Sequence, residues 1–532
     1  MALLSATANF QIGDTKRAHR LLSEARRSGC SRKHIFRMVV AGAYVSLGKA
    51  ECLARKSDDA AEAHFERARD LVLPSTASLS NNSTQFQGSE FVSAQRDVNK
   101  LKRIDSINQV QLGDAWAGNT INTAIFRHHG VISFEGHQYS AFYVDERTLR
   151  IVKRCLSDDT LVIYDLSGKY NLKDAHNSIS LGFDRDGCIH ILYDHHATHL
   201  RYRRTIHGSD ITTWTDELSM TGSHESQVTY PALICPDQGY PLTLLYRDGV
   251  WNKGQARMKV YQEDKRRWLD YPKAVLSGSE SKPWTSNPYW NHPVRGADGS
   301  LHLTFVWRIH TVGAENRINN VNIDYAKSLD NGVTWHSSKS MPFRLPITQV
   351  NSETVRAVSP GSNLINQCSM ALDSYGRPHV VYYADDAEGV LQYQHLWFDG
   401  RVWQNRVVSR RSKPFVLSGS GTLKLPISRP EIVIDPQDNV YVLTRGDHTD
   451  DRLAVTVLVG PDYTYCPGAT QILTDYELGK SEPIIDRHRW RSEGILSLLV
   501  QRCEQPDGDL GHSAVSTPVS ILDFRPSNHG RW

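Results

Sequence analysis

The sequence predicts an all-β fold, a seven-bladed β-propeller, preceded by a short α-helical segment of the tetratricopeptide type. Two observations lead to this prediction. From about residue 108 onward, short alternating strands recur, each after a turn rich in Asp and Gly. One of these repeats also carries a turn motif of the form S-x-D-x-G-x-T-W. About seven copies at roughly 60 residues each leave room for one four-stranded blade per copy, since a blade needs about 40–50 residues.

Residues 1–73 have helical periodicity. Leu21, Leu22 and Ala25 lie on one face of a helix that ends at Gly29, and AYVSLGKAECLARK followed by DDAAEAHFERARDLV resembles a helical hairpin that stops at Pro74. Two such units rarely bury a stable core alone, so we expect this segment to dock on the propeller or to bind another protein. The first residues lack the basic region and cleavage site of a secretory signal.

Residues 74–107 are rich in Ser, Asn, Gln and Thr and have no sustained period, which predicts a linker. The propeller is predicted over residues 108–525, and residues 526–532 form a tail. Its five strongest repeats are FDRDGCIHILYDHH (183–196), CPDQGYPLTLLYRDG (235–249), GADGSLHLTFVWRIH (296–310), LDSYGRPHVVYYADD (372–386) and IDPQDNVYVLTRGD (434–447). Weaker copies begin at residues 134 and 491.

The motif Ser328-Leu-Asp330-Asn-Gly332-Val-Thr334-Trp335 matches the Asp-box of sialidase-type propellers. We expect Asp330 to accept hydrogen bonds from turn amides, Gly332 to supply a positive φ and Trp335 to pack between sheets. The Asp-box lies away from the propeller axis and indicates the fold rather than the chemistry.

Composition excludes several classes of function. The 532 residues carry 61 Lys+Arg against 58 Asp+Glu, a net charge of +3, so there is no basic excess for a nucleic-acid partner. No apolar run is long enough for a transmembrane helix. The eight cysteines are scattered without CxxC spacing, which favours free, buried thiols.

Unusual polar residues gather where the first strands of consecutive blades begin or end. One blade offers His176-Asn177-Ser178 and His195-His196, the next offers Tyr230 and Arg247, and the third offers Tyr289 and Arg308. Arg can hold a carboxylate by two hydrogen bonds, neutral His can accept a proton near pH 7, and a Tyr beside cations can carry one. These residue types together favour acid–base chemistry on an anionic substrate.

Other histidines fit a structural role better. His190, His302 and His379 occupy the same position within alternating strands, which predicts packing inside a blade. His195 is a candidate both for substrate contact and for a supporting position behind His196. His310, Cys368 and His395 are potential metal ligands, but their spacing matches no ligand motif.

The ordered series HNS, YDHH, TYP and LLYRDG, followed by the Asp-box and LINQCSMALDSYGRPHVVYY, resembles the BNR-repeat family of seven-bladed propeller polysaccharide lyases. This family includes the ulvan lyases and related rhamnose–glucuronate lyases. The resemblance spans roughly residues 108–525. It implies an acidic polysaccharide or oligosaccharide as substrate, a periplasmic or secreted location, no cofactor for the chemistry, and a structural calcium or zinc ion.

The resemblance also implies roles for individual residues. His176 and His196 match the two catalytic histidines, Tyr230 the catalytic tyrosine, and Arg247 the arginine that neutralises the uronate carboxylate. Tyr289 matches a further tyrosine that contacts substrate, and His195, Asn177 and Arg308 are expected to contribute to substrate binding. The reaction implied is β-elimination at a uronic acid.

Two alternatives stay open at this point. One is a glycoside hydrolase of sialidase-like fold, with rhamnosidase-type activity, although neither three arginines on matching strands nor paired carboxylates are evident. The other is a non-catalytic glycan-binding propeller. Formation of an unsaturated uronate distinguishes a lyase from both.

Overall fold

The computed structural model describes residues 103–126, 129–278, 286–309, 317–509, 511 and 513–527. The predicted helical hairpin, and most of the predicted linker, lie outside these residues, so both stay predictions. The first described strand begins at Ile104, inside the stretch predicted as linker, because its residues pair with the last strand of the chain.

The described residues form seven antiparallel sheets, which we number as blades 1 to 7 in chain order. The predicted seven-bladed propeller is therefore confirmed. The first strands of successive blades contact one another, β2 with β6 and β6 with β10, so these strands line the central axis. Each following strand lies further out.

The strands of the first three blades are as follows. Blade 1 comprises β2 Val131–Phe134, β3 His137–Asp145, β4 Thr148–Cys155 and β5 Leu161–Ser167, and blade 2 comprises β6 Ser180–Phe183, β7 Ile189–Leu192 and β9 Tyr202–Arg204. Blade 3 comprises β10 Val228–Ile234, β11 Thr243–Asp248, β12 Gln255–Gln262, β13 Arg267–Asp270 and β14 Leu276–Ser277, with β8 His196–Thr198 added beside β10.

The remaining blades continue the pattern. Blade 4 comprises β15 Ser286–Trp290, β16 Val294–Arg295, β17 Leu301–Ile309, β18 Asn320–Ser328 and β19 Glu353–Arg356, and blade 5 comprises β20 Ser369–Leu372, β21 Pro378–Asp385, β22 Leu391–Phe398 and β23 Trp403–Val407. Blade 6 comprises β24 Glu431–Ile434, β25 Val440–Thr444, β26 Ala454–Leu458 and β27 Thr470–Ile472, and blade 7 comprises β28 Ile484–Ile485, β29 Leu496–Gln501, β30 Ser516–Pro526 and β1 Ile104–Trp116.

Blade 7 closes the ring with strands from both ends of the described chain. Its sheet order is β28-β29-β30-β1, so the last strand lies between β29 and the first strand. A short helix, α1 (Arg487–Glu493), follows β28, and the Asp486 side chain caps it by accepting the Arg489 amide. No helix among the described residues has both the length and the apolar character needed to cross a membrane.

The repeated Asp turns have one physical cause. The Oδ1 atom of Asp184 accepts the amides two and four residues later, at 3.0 and 2.8 Å, and Asp373 and Asp435 do the same in blades 5 and 6. Each carboxylate thereby satisfies the amides of the tight turn between the first and second strands. The recurrent Asp in the sequence therefore marks the turn between the first and second strands of a blade.

The turn around Asp330 has the predicted geometry. Asp330 accepts the Thr334 amide at 2.8 Å, and Gly332 has φ +95°. The Trp335 ring is buried with residues of blades 3 and 4, among them Met258 and Leu303. A Cβ at position 332 would lie 2.6 Å from the Met258 sulfur, so glycine is also needed for close packing.

The hydrophobic core lies between adjacent sheets. One cluster joins blades 1 and 2, a second joins blades 2 and 3, and a third joins blades 7 and 1. The six cysteines among the described residues are all free thiols, as predicted, and four of them are buried, namely Cys188, Cys235, Cys368 and Cys503.

Candidate active site

The predicted site residues meet at one end of the axis, where blades 2, 3 and 4 begin. Strand β8 carries His196 and pairs with β10, where Thr229 lies opposite His196. Arg247 pairs with Thr229 from the other side of β10. Register therefore brings His196, Tyr230 and Arg247 together across three neighbouring strands.

Tyr230 lies in a β-bulge of β10, between Thr229 and Ala232, with φ +52°. A left-handed conformation is unfavourable for an aromatic residue and is usually retained for a functional reason. The bulge turns the ring toward its neighbours: the Tyr230 ring centroid is 5.9 Å from that of His176 and 6.2 Å from that of Tyr289.

The two histidines share one carboxylate. Asp174 Oδ1 lies 2.7 Å from His176 Nδ1, and Asp174 Oδ2 lies 2.5 Å from His196 Nδ1. The two imidazole rings stack with centroids 4.1 Å apart. Because both Nδ1 atoms face the carboxylate, each ring keeps Nε2 for another partner.

The protonation states of Asp174 and His176 follow from their burial and their hydrogen bonds. Burial opposes ionisation of Asp174, but hydrogen bonds from His176 and His196 outweigh it and hold its pKa well below the usual range. Burial, together with repulsion from His196, lowers the pKa of His176. The cluster therefore contains a carboxylate beside a neutral imidazole at neutral pH.

Arg247 is buried without a carboxylate. Its Nη2 donates to Thr229 Oγ1 at 3.1 Å, its guanidinium lies 5.0 Å from the centre of the Tyr230 ring, and its Nε has no hydrogen-bond partner among the described residues. No described Asp or Glu lies within ion-pair distance of it. A buried cation without a counter-ion is costly, so this site favours an anionic ligand.

Arg308 is a second arginine without a carboxylate partner among the described residues. It donates to Asn320 and Asn366 at 3.0 Å each and lies 4.3 Å from the centre of the Tyr289 ring. Although burial raises the pKa of Tyr289, Arg308 and Arg247 outweigh it and lower that pKa. Burial and Tyr289 raise the pKa of Tyr230 to about 12.

Two neighbours of the cluster were not predicted from the sequence. Phe126, upstream of blade 1, stacks on His176 at 5.6 Å and meets Tyr230 edge-on at 5.4 Å. Arg429 from the blade 6 side lies 5.3 Å from the Phe126 ring and is paired with Glu482 at 2.7 Å. A third arginine is thus near the site, but it already has its counter-ion.

Gly254 makes room for Arg247. A Cβ at this position would lie 2.6 Å from Arg247 Cδ, so only glycine permits the arginine to lie against β12. The Gly254 amide also donates to Asn287 Oδ1 at 2.8 Å, which ties blade 3 to the first strand of blade 4.

His195, predicted either to contact substrate or to support His196, lies buried rather than in the cluster. Its ring is fully buried and its Nε2 accepts the Arg201 amide at 2.8 Å, so the ring fixes the turn after β7 instead. Adjacent residues of an extended segment point in opposite directions, and His196 is the one that faces the cluster. Asn177 is also buried, and its Nδ2 donates to the Asn171 carbonyl oxygen at 3.0 Å.

The three suggested metal ligands are only partly described. His310 lies outside the described residues, and His395 is buried inside blade 5, where its Nε2 bonds His379 Nδ1 at 2.9 Å. Among the described residues, neither His395 nor Cys368 belongs to a group of three donors. Asp174, His176 and His196 do form such a group, but both carboxylate oxygens already accept imidazole hydrogen bonds.

Comparison with known proteins supports the fold. A polysaccharide lyase of family PL25, an ulvan lyase bound to -[GlcA(1-4)Rha3S]-, is 16% identical with TM-score 0.54, covering 66% of this chain and 83% of its own. Polysaccharide lyase Uly1 is 15% identical with TM-score 0.57, covering 80% and 100%. At these identities the likeness shows a shared fold.

No curated protein sequence matches the chain. The model of the BNR repeat-containing family, however, matches residues 137–411, just over half of the sequence. That match begins at β3 of blade 1 and runs through blade 5, and it includes every residue of the cluster except Phe126 and Arg429. The chain therefore belongs to the BNR repeat-containing family.

Proposed function

We propose that this protein is a polysaccharide lyase that cleaves a rhamnose–uronate linkage, of the kind found in ulvan, by β-elimination. The observation that carries the proposal is a pair of arginines, Arg247 and Arg308, that have no carboxylate partner among the described residues and lie beside an aspartate-bound histidine pair. An anionic sugar supplies the missing counter-charge. The named relatives, an ulvan lyase among them, support this substrate class.

In the proposed reaction Arg247 binds the uronate carboxylate. Removing the C5 proton pushes charge onto that carboxylate, and a guanidinium within a buried site stabilises the enolate-like intermediate. The electrons of the C5–H bond form a C4=C5 double bond, and the C4–O4 bond breaks. One proton leaves C5 and one reaches O4, so no redox partner is needed.

His196 is the proposed base. Its side chain is 31% exposed against 14% for His176, and Asp174 holds its Nδ1, which leaves Nε2 to accept the C5 proton. His176 lies between Phe126 and His196 and keeps both rings in position. The carboxylate stabilises the imidazolium that forms.

Tyr230 is the proposed acid. With a pKa raised to about 12 it keeps its proton at neutral pH and can deliver it to O4 as the bond breaks. Tyr289, whose pKa is lowered beside Arg308 and Arg247, is proposed to contact the substrate with Arg308.

A hydrolase is less well supported. Ordinary glycoside hydrolysis needs two carboxyl groups across the scissile bond, whereas both oxygens of Asp174 are engaged by imidazoles. A sialidase-like hydrolase would need three available arginines, and of the three near Tyr230 one, Arg429, is already paired with Glu482.

The test is ultraviolet absorbance of the unsaturated product from ulvan and, separately, from a rhamnose–glucuronate-capped glycan such as gum arabic. The matched variants are Arg247→Ala and Arg257→Ala, the latter a neighbouring arginine paired with Asp248 at 2.9 Å. We expect absorbance with wild type and Arg257→Ala, none with Arg247→Ala, and none on a carboxyl-reduced substrate. Reducing sugar released without absorbance would indicate a hydrolase, and binding without either product a glycan-binding propeller.

A further inference from the structure

A loop from the far side of the propeller reaches the histidine pair. Residues 408–430 connect β23, the outermost strand of blade 5, with β24, the first strand of blade 6. Within this loop, Thr422 Oγ1 lies 3.3 Å from His176 Nδ1, just before blade 2. Blade 2 is three blades away from blade 5 in one direction and from blade 6 in the other. The loop therefore reaches His176 by crossing the mouth of the axis, and we call residues 417–424 the strap.

The strap is anchored at its first residue to blades 4 and 5. The Leu417 amide donates to Asn363 Oδ1 at 2.7 Å, and the Leu417 carbonyl oxygen accepts the Ile318 amide at 2.9 Å. Asn363 precedes the first strand of blade 5, and Ile318 precedes β18 of blade 4. The Leu417 side chain is buried in the hydrophobic core. This end of the strap is therefore part of the packed fold.

The part of the strap that carries Thr422 is held by blade 7, in the loop between β29 and β30. The Thr422 amide donates to Asp509 Oδ2 at 2.6 Å, and the Thr422 carbonyl oxygen accepts the Gly508 amide at 3.0 Å and Gln505 Nε2 at 3.3 Å. Gln505 Oε1 in turn accepts the Thr120 amide at 3.1 Å and hydroxyl at 2.8 Å. Both backbone polar groups of Thr422 are thus occupied, which fixes the direction of its side chain.

The Thr422 hydroxyl group helps to set the tautomer of His176. Thr422 is buried, and a β-branched side chain has few rotamers, so the hydroxyl keeps its place beside the imidazole. His176 Nδ1 is 2.7 Å from Asp174 Oδ1, so its N–H donates to that carboxylate and has Thr422 Oγ1 as a second, longer acceptor. Two acceptors at Nδ1 favour the tautomer that carries its proton there and leaves Nε2 unprotonated.

We propose that Thr422 is a positioning residue of the candidate active site, which holds the edge of the His176 ring so that His196 keeps its orientation. The catalytic part of this inference rests on the proposed elimination, in which His196 is the base. Phe126 and His196 stack on the His176 ring, with centroids 5.6 and 4.1 Å away. Asp174 and Thr422 hold its edge, so loss of either contact lets the stacked rings turn together.

The charged groups around His176 come from blades 2 and 7. Burial and His196 lower the pKa of His176, whereas Asp174 and Asp509 raise it. Thr422 carries no charge, but a hydroxyl oxygen that accepts from Nδ1 favours the protonated ring. Removing this hydroxyl group alone should therefore lower the pKa of His176 while the neighbouring charges stay in place.

The experiment compares Thr422→Val, which keeps the shape of the side chain, with Thr422→Ser, which keeps the hydroxyl group. Initial rates of unsaturated product formation from ulvan give kcat and KM. We expect Thr422→Val to lower kcat about 10-fold with KM changed by less than about twofold, and Thr422→Ser to keep at least about half of the wild-type kcat. The control is Thr474→Val in blade 6, a buried threonine whose hydroxyl donates to the Tyr476 carbonyl oxygen at 2.9 Å, and it should keep the wild-type kcat per folded molecule.

Nuclear magnetic resonance of the His176 imidazole, assigned by its absence from His176→Gln, gives a second measurement that needs no substrate. Thr422→Val should lower the pKa of His176 and raise the fraction protonated at Nε2, Thr422→Ser should restore both, and Thr474→Val should change neither. An unchanged His176 signal in Thr422→Val, even with a lower melting temperature, would overturn the proposal, and so would a shifted signal with wild-type kcat. Wild type that forms no unsaturated product would overturn the proposed function instead, and the His176 signal would still decide whether Thr422 holds the ring.

Discussion

Histidines inside the blades and histidines at the candidate active site have opposite surroundings. His190 and His302 lie on the second strands of blades 2 and 4, are completely or almost completely buried, and bond the hydroxyl groups of Tyr202 and Tyr325 on the third strands, each at 2.7 Å. Their ring nitrogens are occupied by neighbours of the same sheet. They act as packing residues, as the sequence position predicted.

His176 and His196 lie where strands begin rather than within them. Both rings are partly exposed, both contact Asp174, and Arg247 and Arg308 lack counter-ions among the described residues. The comparison teaches that the residue type does not decide the role. A histidine surrounded by its own sheet stabilises the fold, and a histidine at a strand end with a carboxylate behind it is available to a ligand.

The largest expected effect is a loss of activity, which separates the active-site histidines from the blade histidines. His196→Ala should lower the elimination rate by about 10²–10⁴-fold because the proposed base is lost, with an unchanged melting temperature. His302→Ala should keep the wild-type rate per folded molecule. Ultraviolet product formation, with the folded fraction measured by circular dichroism, checks both; equal losses in the two variants would remove the distinction.

A smaller loss is expected from Asp174→Asn, because the carboxylate positions both imidazoles rather than reacting itself. An amide can accept hydrogen bonds through only one oxygen, so we expect a decrease in kcat of about 10²-fold. Asp174 accepts a hydrogen bond from His176 Nδ1, which raises the pKa of His176 against the effect of burial, so the NMR titration profile of the His176 imidazole should also move to lower pH in the variant. Asp186→Asn, an exposed turn residue, is the control; an unshifted profile would contradict the assigned role.

The blade histidines should show their effect in stability. His302→Ala leaves the buried Tyr325 hydroxyl without its partner and should lower the free energy of unfolding by about 1–3 kcal/mol. His207→Ala, at an exposed position, should change it by less than about 0.5 kcal/mol. Urea unfolding followed by fluorescence measures both values.

The smallest expected effect is on how the free energy of unfolding depends on pH. Burial lowers the pKa of His302 to about 3, so the unfolded chain, with a usual value near 6.5, takes up the proton first. The contribution of neutral His302 is complete above about pH 6.5 and is lost as pH falls toward about 3. The difference in unfolding free energy between wild type and His302→Gln should therefore narrow between about pH 7.5 and about pH 4.5. A constant difference would show that protonation of His302 is not involved.

Much of the architecture could be predicted from the sequence, because each blade repeats the same Asp turn and alternating strand. The meeting of His176, His196, Tyr230 and Arg247 was also predictable from their order along consecutive repeats. Asp174 stands two residues before His176 in the sequence, but its hydrogen bonds with both imidazole rings depend on how the loop folds.

Other features could not be found in this way. Phe126 comes from upstream of blade 1, and its contact with His176 follows from how that segment crosses the axis. The donor atoms of His129, Cys235 and His488 lie within 4.8 Å of one another although the residues come from three blades, so no local spacing reveals this group. Which of the two roles suits His195 could not be decided from the sequence, because neighbouring positions of an extended segment face opposite sides.

The order of strands in blade 7 has a consequence for synthesis. Of the described strands, β30 is made last, and it separates β29 from β1, which is made first. Until Ser516–Pro526 leaves the ribosome, β1 lacks the strand with which it pairs in the described part of the chain, and the ring has an open seam. The nascent chain must therefore keep an unpaired strand edge in solution through the translation of blades 1 to 6, the period when pairing with another chain is the greatest hazard.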